Sequence, residues 1–304
     1  MKFLERALDH QNQWWKYLLI IVVGFFGGSI IGSIPLFVVI ASKAVASGGG
    51  VVSMTDLSVY GISKNVALLL QMLPFVTSLI VTAYLIKALH KRSFKETING
   101  TNKLRFSRMG VGFGIWVALM SVYYIGYYLI NPDNFVLQFD VTKFIPLLLV
   151  SILFISLQST YEEFLVRGYL TQGFAVLTRN RLLAILLSCL FFGLIHIFNP
   201  EVNELGFMLA MSQYVFFGLL FGLVAVLDDG IELSIGMHAA NNIFLSLFIT
   251  NKSFAFQTDA VFEQLSINPI KETLSLIVLG IIAVLYFTYK YKWNFRILTK
   301  KIEE

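Results

Sequence analysis

A single cysteine, Cys189, stands in the 304 residues, so no disulfide framework, CxxC pair or thiolate metal cage can be built. Within its apolar run that thiol reads as a small buried hydrophobe. Charge is scarce as well: Asp, Glu, Lys and Arg make up 13% of the chain against 57% hydrophobic residues, and the mean hydropathy is +0.75. A soluble domain cannot hide that much apolar surface, but a bilayer can. There is no internal repeat, no low-complexity tract and no HExxH, the pattern that sets two zinc-binding histidines on one helix face. No stretch has the composition of a separate soluble domain, so residues 1–304 read as one integral membrane domain.

What is present is a succession of apolar runs of roughly 17 to 25 residues, the length that spans a hydrocarbon core. They predict an all-α, polytopic transmembrane bundle of about eight helices, at roughly 17–42, 66–89, 110–130, 144–170, 181–198, 206–227, 231–250 and 273–290. The first run resembles a signal peptide only in the small residues Ala44, Val45 and Ala46 that follow it. It is too long for a signal-peptide core, and Glu5 and Asp9 precede it, so it is read as a first span with Trp14 and Trp15 at the headgroup level. Lysines and arginines gather in alternate connections, Lys91 to Arg108, Arg179 with Arg181, and Lys290 to Lys301. The positive-inside rule then puts both termini in the cytoplasm and makes this a multi-pass protein of the cell membrane. The same rule accounts for the net charge of +5 and points to membrane lipids rather than nucleic acid as the partner of the basic residues. Gly48 to Gly50 predict a flexible external loop, and Gly218 with Gly222 a close helix contact.

Ionisable groups at membrane depth cost roughly 2.5 to 3.5 kcal/mol each on insertion scales, so each asks for a partner or a function. The second half of the chain carries Glu162, Glu163 and Arg167 in the fourth helix, His196 at the end of the fifth, and His238 with Asn241 and Asn242 in the seventh. His10 and His90 fall in cytoplasmic flanks, apart from the two embedded histidines. Residues four apart share a helix face, so Glu163 pairs with Arg167, in the favourable order of acid before base. Glu162 points about 100° away, without a local cation, and is free to act as a base. His238 and Asn242 share a face, and Phe192 lies one turn before His196, so three helices can converge on one polar pocket. A fourth helix ending near residue 170 would leave Glu162 below His196, which stands about 22 Å along its helix from Arg181. Continuation of that helix past Gly168, or a tilted segment from Thr171 to Asn180, would raise it.

At these residues the chain resembles a known family. Glu162-Glu163-Phe164-Leu165-Val166-Arg167 matches its EExxxR signature, Phe192 to His196 its FxxxH element and His238 to Asn242 its HxxxN element, in the same order. The family is the CAAX prenyl protease type II and bacteriocin-processing group of intramembrane endopeptidases and immunity proteins, and the resemblance covers residues 144–250, the expected catalytic core. It implies that Glu162 activates water with the help of His196, that His238 and Asn242 stabilise the oxyanion, and that Glu163, Arg167 and Phe192 support them. It also implies a metalloprotease grouping, in which Glu162, His196 and His238 could ligate Zn²⁺. The expected substrate is a membrane-associated peptide or protein. A non-catalytic immunity or scaffold protein is the competing class. A proton-coupled transporter is a third, but the inverted repeats that would mark one are absent from the sequence.

Overall fold

The computed structural model describes residues 2–46, 57–101 and 103–302, and the glycine cluster at 48–50 lies outside them. Eight long helices run through the described residues: α1 (Trp14–Ala46), α2 (Lys64–His90), α3 (Phe106–Ile130), α4 (Val141–Thr178), α5 (Arg181–Ile195), α6 (Phe207–Leu227), α7 (Glu232–Phe248) and α8 (Pro269–Tyr291). All except α5 and α7 are long and apolar enough to cross a membrane. The chain is thus a polytopic helix bundle. Apolar side chains cover its outside, with Ile30, Val122, Leu153 and Leu285 more than half exposed. That is the expected dress of a bundle whose solvent is lipid. Pro35, Pro74 and Pro146 sit inside helices, which packed neighbours tolerate in such a bundle.

Both described chain ends lie at one end of the bundle. The Phe3 amide donates to Asp229 Oδ1 at 2.8 Å, the Ile302 amide to the Arg179 carbonyl at 3.1 Å, and Arg181 pairs with Glu5. The basic connections 91–105 and 179–181 are gathered at this same end. The acidic turn at 228–229 is held by them: Arg108 and Arg105 reach Asp228 at 2.7 and 3.2 Å, and Arg105 also pairs with Glu232. His90, though also at this end, is fully buried, with Nε2 2.7 Å from the Tyr169 hydroxyl.

The other end is closed by a small three-stranded sheet, two of whose strands fall in expected connections while the third takes the last two residues of the helix expected over 231–250, which ends at Phe248. Its strands are β1 (Phe135–Leu137), β2 (Ile249–Thr250), which continues directly from α7, and β3 (Phe262–Gln264). Central β3 pairs antiparallel with β1, Phe135 opposite Gln264, and parallel with β2, Ile249 opposite Phe262. Between the two ends α6 packs closely on α5. A Cβ on Gly218 would stand 3.0 Å from Cys189 Cα, and one on Gly222 3.1 Å from Ile185 Cγ2, so these two glycines set the helix separation. Cys189 is buried there and its thiol donates to the Val215 carbonyl.

Candidate functional site

Helix α4 runs eight residues past the expected boundary, to Thr178, with wide π-type turns over Ser151–Ile155 and Phe164–Leu170. Such turns are uncommon and often mark functional segments. The extension removes the mismatch in depth. Helices α4 and α5 leave a common turn at 179–180; Glu162 lies about 24 Å along one and His196 about 22 Å along the other, at about 1.5 Å per residue. On α7, His238 reaches the same level. Gly168 of α4 packs against Thr97 and Ile231, Glu162 is six residues before that contact and His238 seven residues after it.

The structure brings Glu162, His196 and His238 together. Glu162 Oε2 is 3.5 Å from His238 Nε2 and 4.0 Å from His196 Nε2, and among the described residues it has no hydrogen-bond donor although the residue is only 7% exposed. Each imidazole is oriented through its other nitrogen. His196 Nδ1–H donates to the Phe192 carbonyl at 2.7 Å, and its ring lies between Phe192 and Tyr214, both 4.4 Å away between centroids. With that proton on Nδ1, His196 Nε2 presents a lone pair towards Glu162. His238 Nδ1 meets Glu163 Oε1 at 2.9 Å, and the ring stacks on Phe221.

The Glu163–Arg167 pair forms as helical phase requires, with Nη1 to Oε1 at 2.7 Å and both side chains fully buried. Arg167 also donates from Nη2 to the Phe217 carbonyl at 3.2 Å and lies 4.1 Å from the Phe192 ring centroid. Phe192 thus supports two polar residues, the guanidinium with its face and His196 with its carbonyl. Helical phase gave no hint of the second partner of Glu163. The same Oε1 serves Arg167 and His238, so the structural pair also holds a histidine of the site.

Asn242 does not reach His238 directly. One of its amide hydrogens goes to Gln158 Oε1 at 3.0 Å, and its Oδ1 accepts from Asn241, whose own Oδ1 accepts the Trp116 indole N–H. Gln158 in turn donates to Glu162 Oε1 at 2.6 Å. This glutamine links the helix of Glu162 to that of Asn242 and was missed from the sequence. Its signal was its place, four residues before Glu162 on the same face.

These side chains line a cavity of about 410 Å³ that extends between the helices towards the sheet. Helix α5 ends at Ile195, too short to cross a bilayer, and the irregular backbone after it borders this cavity, where non-helical chain is tolerated at membrane depth. Glu201, in the short helix Pro200–Leu205, also faces the cavity and accepts from the Ala255 amide at 2.8 Å. Among the described residues no three His, Cys, Asp or Glu side chains stand close enough to form a metal cage as they are placed.

Comparison with known proteins bears on the same segment. No solved structure matches the chain. The uncharacterized protein YyaK of Bacillus subtilis (strain 168) is 29% identical over 264 residues, 84% of this chain and 85% of that protein. Residues 143–244 match the family described as type II CAAX prenyl endopeptidase Rce1-like, and this span contains every one of the motif residues. The helices that carry Glu162, His196 and His238 are therefore similar to those of the CAAX-protease family of membrane endopeptidases.

Proposed function

We propose that the protein is an intramembrane endopeptidase of the cell membrane that hydrolyses a peptide bond in a membrane-associated peptide or protein, with Glu162 as the general base. One observation carries the reading: a buried carboxylate oxygen without a donor faces two imidazole nitrogens inside a cavity large enough for a peptide segment. A water between Glu162 Oε2 and His196 Nε2 has two acceptors for its protons. As its oxygen attacks the scissile carbonyl carbon, Glu162 takes one proton and later returns it to the leaving amine nitrogen. His238, whose Nδ1–H is committed to Glu163, offers Nε2–H to the developing oxyanion when doubly protonated, and Asn242 adds the amide hydrogen that Gln158 does not use. The donor set of Glu162, His196 and His238 also fits Zn²⁺, because both histidines have their Nδ1 engaged and the carboxylate oxygen is unpartnered. Such an ion, when bound, supplies Lewis-acid polarisation and a more acidic water.

Cleavage of candidate peptides by purified protein in liposomes tests the reading. Glu162→Gln, which cannot accept the proton, should lose about 10² to 10⁴ in rate with unchanged melting. Equal rates for the variant and the wild type would remove Glu162 from the chemistry. Peptide binding without any cleavage by wild type would favour a non-catalytic immunity or scaffold role instead.

A further inference from the structure

The cavity holds more polar chemistry than hydrolysis uses. Its lining includes the carboxylates of Glu162, Glu201 and Glu272 but, among the described residues, no Lys or Arg. Glu272 lies in the first turn of α8, and its neighbours are neutral: Tyr123 and Gln264 hydrogen-bond to it, the latter from Nε2 to Oε1 at 3.5 Å. Gln264, the last residue of β3, is 1% exposed. Its Nε2 also donates to the Ser266 carbonyl at 3.1 Å, while its Oε1 has no donor among the described residues. Leaving a buried acceptor unpaired is costly, and the partial positive charge at the start of α8 favours Glu272 without reaching that oxygen. Two acceptors, one of them charged, therefore stand together where a donor is wanted. Tyr123 and Tyr124 place aromatic rings beside Glu272 in the same cavity, and such rings attract a cation.

We propose that Glu272 and the free oxygen of Gln264 form a subsite for the basic side chain of a peptide substrate, in the same cavity as Glu162. The inference rests on the endopeptidase reading for the identity of its ligand as a substrate. An ammonium or guanidinium entering here satisfies Gln264 Oε1, neutralises Glu272 and lies beside aromatic rings. The peptide backbone that carries it is held in the chamber where Glu162 works. A neutral apolar residue would leave both acceptors unpaired, so the subsite discriminates by the penalty as well as by the gain.

The test uses the full chain in phosphatidylcholine nanodiscs, carrying Glu162→Gln so that no probe is consumed. The probes are two fluorescein-labelled decapeptide mixtures of the same apolar composition, with one fixed position occupied by lysine or by norleucine. The lysine mixture should bind about tenfold tighter, and adding Glu272→Gln should remove the difference. Equal binding of the two mixtures overturns the proposal without any change at Glu272, and a lysine preference that survives Glu272→Gln overturns the assignment of the subsite. Loss of the preference when phosphatidylethanolamine is included makes a headgroup amine the occupant and overturns the peptide. If lysine preference holds and depends on Glu272 while the wild type cleaves nothing, the subsite stands and the endopeptidase reading falls.

Discussion

Arg167→Ala should destabilise the protein more than Arg167→Lys, and the margin follows from the contacts. The guanidinium is fully buried, bonds Glu163 at 2.7 Å and the Phe217 carbonyl at 3.2 Å, and stacks over Phe192. Its removal leaves the Glu163 carboxylate in the interior with His238 as its remaining hydrogen-bond partner. Breaking a buried pair in this way costs about 3–5 kcal/mol, because a charge is stranded. Lysine keeps the charge but not the planar fork, so one hydrogen bond and the ring contact weaken, at about 1–2 kcal/mol. Cys189 is a built-in reporter, being the only cysteine and 2% exposed, so a thiol-reactive fluorogenic dye reads unfolding on heating. At about 2 °C per kcal/mol for a chain of this size, the alanine variant should melt about 6–10 °C below wild type and the lysine variant about 2–4 °C below. An alanine variant that melts with the wild type, or a lysine variant no better than alanine, would refute the stranded-charge argument.

Glu163→Gln should lower cleavage by about tenfold, far less than Glu162→Gln, because both bonds of Glu163 fall on Oε1 and an amide oxygen can still accept them. Initial rates of the two variants decide it, and the reverse order would exchange the roles of the two glutamates. At the basic end, burial outweighs Arg105 and Arg108 and pushes Asp228 up to about 6 from 3.8. A carboxyl raised on folding contributes stability that is complete below about 4 and lost as the pH rises through about 6. The melting temperature of wild type minus that of Asp228→Asn should therefore fall across that window, and a difference that rises with pH would contradict the sign.

The sequence by itself determined the class, the approximate number of long helices and which ionisable groups turn to the interior. A helix-length apolar run has few alternatives in lipid, and an ionisable group inside one must face the bundle interior. Helical phase was enough to join Glu163 to Arg167, because partners on one helix follow from residue spacing alone. Partners on different helices depend on where each helix ends, how its turns widen and how closely it packs, and spacing says nothing of these. So only the tertiary structure showed that α4 continues to Thr178 and raises Glu162 to His196, that Glu163 also holds His238, and that Gln158 ties Glu162 to Asn242. The pairing of Gln264 with Glu272 was equally beyond reach. It requires a strand of a three-stranded sheet to meet the first turn of α8, and neither the sheet nor its register is written in hydropathy.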